Sequence, residues 1–299
     1  MKYSIVVPVF NSANSIENLL RQLCLILEQY SFEIIFVDDG SCDESWKILV
    51  SLKKIYSEQN IKLVKLTSNF GQQNATICGL TFADGDFIIT IDDDLQIQPK
   101  EIHKLIHKQE HLNVDVVYGI YKPQHSFIKS IFRIIGFSIF SIINPSIVNT
   151  SSFRLIRKNI VNKIASHHDC FINIDEITRH YTNSISTQEV EHHKRVSGKS
   201  GYTLPSLLRL AFCNILNYYP LIFRIIIFLF YFLILVCIGF FLNHNYQIFH
   251  YFKYKSYYLL LPSIFILLAL MGTFFSTFFL YRITPKQNTQ SYVIDIVIE

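Results

Sequence analysis

Gly85-Asp86-Phe87-Ile88-Ile89-Thr90-Ile91-Asp92-Asp93-Asp94-Leu95-Gln96-Ile97-Gln98-Pro99 is the stretch on which the fold turns. Its apolar, mostly β-branched run from Phe87 to Ile91 suits a buried strand, and that run stops at consecutive carboxylates. Pro99 then opens a helical pattern that puts Ile102, Leu105 and Ile106 on one face. The acids therefore stand at the carboxyl end of a strand, where open α/β sheets take up ligands. Like charges so close raise one another's pKa, and a bound hard cation is the usual relief. Mg²⁺ or Mn²⁺ takes one or two carboxylates and completes its octahedron with phosphate oxygens and water. Side chains alternate along an extended segment, so Asp92 and Asp94 share a side while Asp93 faces away. A solvated loop that merely caps the next helix is the other reading of the same residues.

Upstream, the same alternation repeats. Tyr3 to Asn11 reads as a strand that Pro8 brings to an end, and Ser15 can cap a helix with Ile16, Leu19, Leu20, Leu23 and Leu27 on its apolar face. Glu33 to Val37 is a second buried strand, again ending in acids, Asp38-Asp39-Gly40-Ser41. Asp43 can cap the helix that carries Trp46, Leu49 and Val50. Lys62 to Leu66 is a third strand, followed by Asn69-Phe70-Gly71-Gln72-Gln73-Asn74 and a helix through Leu80. Strands and helices at this spacing predict an α/β fold with a doubly wound, Rossmann-like, mostly parallel sheet. Two strands ending in acids suit a nucleotide, the first acid for ribose or base and the second set for a metal-bound diphosphate. No GxGxxG follows the first strand and no GxxxxGK[ST] occurs, which removes support for dinucleotide dehydrogenases and P-loop NTPases.

The chain has 299 residues, enough for a substantial core in one or two domains. Half of it is hydrophobic and 17% is charged, and the apolar excess lies after about residue 220. A scattered net charge of +4 does not suit a nucleic-acid partner. Cys24, Cys42, Cys78, Cys170, Cys213 and Cys237 form no CxxC pair, and the first apolar run is too short for a signal-peptide core. Reduced thiols on a cytoplasmic face are expected. The pairs His167-His168 and His192-His193 match no zinc spacing and are expected at the surface.

Several segments, in order, carry a family resemblance: Ser4 to Asn11, Val37 to Asp43, Asn69 to Gly79, Asp92 to Gln96, Ser152-Phe153-Arg154-Leu155-Ile156-Arg157-Lys158, and Arg195-Val196-Ser197-Gly198-Lys199-Ser200-Gly201-Tyr202. Together they resemble the family 2, GT-A-fold glycosyltransferases of the polyprenyl-phosphate type. Dolichol-phosphate mannose synthase and the bacterial undecaprenyl-phosphate sugar transferases belong to that type. The resemblance spans roughly residues 3–215. It implies that Pro8, Phe10 and Asp39 line a nucleotide pocket, and that Asp92 and Asp94 hold the metal with Gln96 beside them. It implies phosphate contacts from Arg195, with Lys199 helping to hold the acceptor's charge, and a weaker one from Arg154. It also places the acid Asp175 facing the active site. Asp93 stands where the family usually has a small residue, and counts here as a substrate-side acid or a solvent-facing one. Lys122 stands where the subgroup often has an arginine, Asn149 is the nearest polar residue to a missing aspartate, and Gly201 replaces a lysine. The residues themselves leave alternatives open: Asp39 as a turn former, Arg154 as a salt-bridge partner, Asp175-Glu176 as a helix N-terminal turn.

The last third bears on the acceptor. Ile225 to Leu242 and Tyr257 to Tyr281 are uncharged apolar runs. About 20 helical residues cover the roughly 30 Å hydrocarbon core, so both runs can span it. Arg224 can snorkel at its run's edge, and Tyr218, Tyr219, Tyr257 and Tyr258 suit interfacial belts. Lys194, Arg195, Lys199, Arg209 and Arg224 precede the hairpin, against Lys253 and Lys255 in its loop, which puts the catalytic side in the cytoplasm. The expected organisation is a catalytic domain over 1–203, a juxtamembrane interfacial helix over 204–220, two transmembrane helices within 221–282 (about 221–243 and 257–281), and a cytoplasmic tail over 283–299. Phe127 to Ile147 is a second candidate interfacial segment.

The expected activity is inverting, Mg²⁺- or Mn²⁺-dependent transfer of a sugar from a nucleotide-sugar to undecaprenyl (polyprenyl) phosphate. The expected place is the cytoplasmic face of the inner (plasma) membrane. The alternative adds the sugar to a hydroxyl of a lipid-linked glycan in a cell-envelope polysaccharide. Partners are the donor, the lipid acceptor and the bilayer, with a homo-oligomer left open.

Overall fold

Apolar strands alternate with helices through the first 112 residues of the computed structural model. They run β1 (Lys2–Val9), α1 (Ile16–Leu27), β2 (Ser31–Asp38), α2 (Ser45–Ile55), β3 (Ile61–Leu66), α3 (Gln72–Thr81), β4 (Phe87–Thr90), then a short 3-10 turn (Pro99–Glu101) and α4 (Ile102–Leu112). β5 (Val116–Ile120), β6 (Arg154–Arg157), α5 (Lys158–Ala165), α6 (Ile174–Tyr181), β7 (Ile185–Glu189) and β8 (Ile294–Ile298) follow. The structure describes residues 1–121, 150–166, 174–193 and 292–299, with isolated positions 231, 232, 234 and 239. The chain divides into two units, Met1–Lys199 with Asn288–Glu299, and Ser200–Gln287. The elements above belong to the first.

The sheet order is β7-β5-β6-β4-β1-β2-β3-β8. β1, β2, β3 and β4 pair in parallel, as their spacing predicts. The sheet as a whole is mixed, which corrects the expectation of a mostly parallel one. β6 runs antiparallel between β4 and β5, and β8 runs antiparallel along β3. β6 and β8 are short strands whose partners are set by distant chain, so local pattern could not orient them. β8 also places the last residues, expected as a cytoplasmic tail, at the sheet edge, with Leu63 opposite Ile298 and Leu66 opposite Ile294.

The core fills both faces. Ile16, Leu19, Leu20, Leu23 and Leu27 of α1 and Ile102, Leu105 and Ile106 of α4 are buried on one side, as their helical spacing predicts. α3 packs on the other, so closely that a Cβ at Gly79 would sit 2.4 Å from Val6 Cγ1. Pro8 lies inside β1, opposite Val37, and does not end the strand. Pairing with β4 stops at Val6, so the missing N–H at Pro8 breaks no β4 ladder bond. At α1, Ser15 makes no side-chain cap; its hydroxyl bonds to Ser12 O instead. Asp43 does serve the start of α2, accepting from the Ser45 N–H at 3.0 Å and the Ala13 N–H at 3.2 Å.

No helix among the described residues is long and apolar enough to cross a membrane. The runs 225–242 and 257–281 and the candidate interfacial segments 127–147 and 204–216 lie outside the described residues. Cys24, Cys42 and Cys78 are free thiols.

Candidate active site

At the end of β4, Ile91 donates its N–H to Val6 O and the chain enters the acidic turn. Leu95 there has φ of 57°, a left-handed conformation held by its buried side chain. Asp92 Oδ1 accepts from Gln72 Nε2 at 2.6 Å and Oδ2 from Ser152 Oγ at 2.6 Å. Asp94 Oδ1 accepts the Gln96 N–H at 3.0 Å. Asp93 turns the other way and takes the Phe10 N–H at 3.0 Å and the Ser12 hydroxyl at 2.5 Å. Asp93 thus serves to clamp the loop after β1. Burial pushes the Asp93 carboxyl up to about 6, and the charges of Asp92 and Asp94 add to it, against the two hydrogen bonds.

That concentration of negative charge is what a divalent cation relieves. No group of three or more His, Cys, Asp or Glu side chains forms a ready-made cage among the described residues. Mg²⁺ does not require one, since it commonly binds one or two carboxylates and takes the rest of its shell from phosphates and water. Both Asp92 oxygens accept hydrogen bonds, from Gln72 and from Ser152, and a carboxylate oxygen can serve more than one partner. The hard-oxygen donors present fit such an ion.

Beside this turn, the ends of β1 and β2 carry the nucleotide-side candidates. Asp39 is 2% exposed, and its two oxygens accept the N–H groups of Phe70 at 2.7 Å and Gly71 at 2.9 Å. Burial raises its carboxyl to about 6, opposed by those amides and reinforced by Asp38. So Asp39 is neither a local turn former nor a loose acid; it ties the loop after β3 to the end of β2. Asp39→Asn puts an NH₂ against one of two donors and should cost about 1–3 kcal/mol, read by denaturant unfolding. Phe10 is 45% exposed at the rim, whereas Pro8 is buried in the strand.

On the other flank a hydrogen-bonded chain leads inward. Asp92 accepts from Ser152 Oγ, the Ser152 carbonyl accepts from the Thr90 hydroxyl, and Arg154 Nε donates to Thr90 Oγ1 at 3.3 Å. Arg154 is 1% exposed and pairs directly with Asp175. Its guanidinium is therefore committed within the protein, the salt-bridge alternative of the sequence reading, and Asp175 is positioned by it. The Tyr118 phenol behind them is pushed well up, by burial first and then by the Asp175 charge.

Sequence reasoning missed Gln72, Ser152 and Ser12, whose roles depend on contacts across 20 to 81 residues. His192, expected at the surface, is only partly exposed. Its ring stacks on Tyr121 with centroids 4.0 Å apart, and lies within the field of Asp94. His193 is exposed, as expected. Arg195, Lys199 and Lys122 lie outside the described residues.

A mixed α/β sheet with acids at the ends of β2 and β4, and an Asp-x-Asp turn after β4, is the arrangement expected of a GT-A-type transferase. The chain belongs to glycosyltransferase family 2: the sequence profile described as Glycosyl transferase family 2 matches residues 4–172. An uncharacterized glycosyltransferase of Synechocystis sp. is 34% identical over 173 residues, 55% of this chain and 52% of that protein. An undecaprenyl-phosphate 4-deoxy-4-formamido-L-arabinose transferase of Proteus mirabilis is 32% identical over 217 residues, 71% of this chain and 66% of that one. The chain thus spans between half and two thirds of the length of these curated relatives. Among solved structures, glucosyl-3-phosphoglycerate synthase of Mycobacterium tuberculosis superposes with a TM-score of 0.52 at 15% identity, covering 72% of this chain and 76% of that one. That likeness is one of fold; the crystal contained Mn²⁺, UDP and phosphoglyceric acid.

Proposed function

We propose that this protein transfers one sugar from a nucleotide-sugar to undecaprenyl phosphate, or a related polyprenyl phosphate, at the cytoplasmic face of the inner membrane. The observation that carries this reading is the Asp92–Asp94 turn, with its charge concentration and its hard-oxygen donors, at the carboxyl edge of the sheet. The similarity to an undecaprenyl-phosphate sugar transferase of Proteus mirabilis supports the choice of acceptor.

Asp92 and Asp94, with Gln96 beside them, would hold a divalent ion, which would supply Lewis-acid neutralisation of the departing diphosphate. Everything else falls to the chain. Gln72 and Ser152 orient Asp92, and Asp93 holds the Phe10–Ser12 loop against it. An acceptor phosphate oxygen attacks the anomeric carbon from the face opposite the leaving group. The bond from that carbon to the donor's phosphate oxygen breaks, and the nucleoside diphosphate leaves with the electron pair, inverting the configuration. A phosphomonoester has its second pKa near 6, so this nucleophile is ionised at neutral pH and no strong base is needed. Arg195 and Lys199 are assigned to hold the acceptor's charge.

The fold lends support to a membrane hairpin. β8 pairs with β3, so the chain that leaves the sheet after Glu189 rejoins it at Ile294, as a two-span hairpin would require. The runs at 225–242 and 257–281 supply two crossings, and the positive charge before them favours a cytoplasmic catalytic side.

A hydroxyl acceptor on a lipid-linked glycan is the second reading, and it requires a general base. Asp175, held by the buried Arg154, is the candidate. Asp175→Asn separates the two: transfer to a lipid phosphate should fall less than about tenfold, whereas base-dependent transfer should fall by about 10²–10⁴. The donor is found by incubating membranes with UDP-, GDP- and dTDP-sugars and scoring butanol-extractable label.

A further inference from the structure

One feature of the site edge plays no part in the chemistry above, the stacked pair Tyr121–His192. Their rings lie 4.0 Å apart at an interplanar angle of 22°, and Tyr121 is 43% exposed. Tyr121 follows the last residue of β5, and His192 lies just beyond β7, the neighbouring parallel strand.

The pair is held rather than loosely placed. Val190 N–H bonds to Ile120 O at 2.8 Å, and Glu191 N–H to the buried Glu101 carboxylate at 3.1 Å. Lys100 pairs with Glu191 at 2.9 Å, and His193 N–H bonds to Gln96 O at 2.7 Å. The segment bearing His192 is thereby pinned to the acidic turn itself, at the residue two beyond Asp94. A surface histidine needs no such anchorage.

Sheet order then says what lies there. Asp39 ends β2, Phe10 follows β1, Asp92–Asp94 follow β4, and Tyr121 follows β5 with only β6 between. A nucleotide-sugar is a linear molecule: nucleoside, diphosphate, sugar. With the nucleoside over β2 and β1 and the diphosphate at β4, the sugar continues toward β6 and β5. Strands lie about 4.8 Å apart, so β5 is roughly 10 Å beyond the carboxylates, within reach of a hexose ring joined to the second phosphate.

We propose that the Tyr121–His192 stack is the wall of the sugar subsite, packing an aromatic face against the C–H face of the transferred sugar. A pyranose presents such an apolar face, and a fixed aromatic surface binds it with little loss of side-chain freedom. The pair then determines which sugars the enzyme accepts. This rests on the nucleotide-sugar reading above, and the experiment separates the two.

Full-length protein and the variants Tyr121→Ala, His192→Ala and Tyr121→Phe are titrated with UDP-, GDP- and dTDP-sugars and with UDP, GDP and dTDP alone, in the presence of Mg²⁺. Each alanine variant should weaken binding of the preferred nucleotide-sugar about tenfold and leave its nucleoside diphosphate within about twofold, with melting temperatures close to the parent's. Tyr121→Phe, which keeps the ring, should recover most of the loss. Equal weakening of sugar-linked and sugar-free nucleotide, or unchanged binding of both, would overturn the proposal. So would an effect confined to the KM of the lipid acceptor, or a loss that Tyr121→Phe fails to recover. A parent protein that binds none of these nucleotides overturns the underlying reading first, and the sugar wall with it.

Discussion

Alanine at Asp92 or at Asp94 should lower sugar transfer at least about 10³-fold while the protein still folds. On the proposed mechanism either change removes a ligand from the divalent ion that would neutralise the leaving diphosphate, an effect worth several kcal/mol of barrier, and about 1.4 kcal/mol is a decade of rate. The fold should survive because both side chains sit at a half-exposed strand end. Truncating Asp92 does leave Gln72 and Ser152 without their acceptor, but these are half-buried polar groups that water can reach. Asp93→Ala makes the instructive contrast. It frees the Phe10 amide and the Ser12 hydroxyl, so it should loosen the donor loop and lower stability by about 1–3 kcal/mol. Three adjacent acids thus separate into two roles, read by radiolabel transfer beside thermal unfolding of the same samples.

Arg154→Met should be the most destabilising single change at the site, by about 3 kcal/mol or more. The methionine fills much of the volume but takes the guanidinium away from Asp175, whose side chain is only 17% exposed, and removes the Arg154 donor from Thr90. Removing one partner of a buried pair is expensive because the remaining charge stays desolvated. The double variant Arg154→Met/Asp175→Leu should therefore regain more than half of that loss, since neither charge is then stranded. Denaturant unfolding of the four proteins completes the cycle. Additive losses would mean that the pair does not act as a unit, and that Asp175 takes its position from elsewhere.

The chain displays some of this plainly and hides the rest for physical reasons. Runs such as Ile34-Ile35-Phe36-Val37 and Phe87-Ile88-Ile89 are buried on both faces and carry their strand identity locally, as do the acids that end them. The apolar stripes of α1 and α4 are equally legible, because a 3.6-residue period is a property of adjacent residues. β7, with the sequence Ile-Ser-Thr-Gln-Glu, is polar and sits at the sheet edge, so no hydrophobic pattern announces it. β8 pairs with a strand more than 200 residues away, which only tertiary structure decides. The same holds within the site. Asp92, Asp94 and Asp39 could be named from their strand context. The partners Gln72, Ser152 and Ser12 and the placement of His192 depend on loops converging from separate elements. Arg154 is the sharpest case: an arginine in a phosphate enzyme invites a phosphate, yet its position in β6 buries it against an acid from α6.

The most direct test is transfer of radiolabelled sugar by membranes containing the full-length protein, with and without added undecaprenyl phosphate and with and without a chelator. Label should enter the butanol phase, rise with the lipid, vanish on chelation, return with Mg²⁺ or Mn²⁺, and be absent from the Asp92→Ala/Asp94→Ala protein. Transfer that persists in that double variant, or label that no polyprenyl phosphate can draw into the lipid phase from any donor, would contradict the proposed activity.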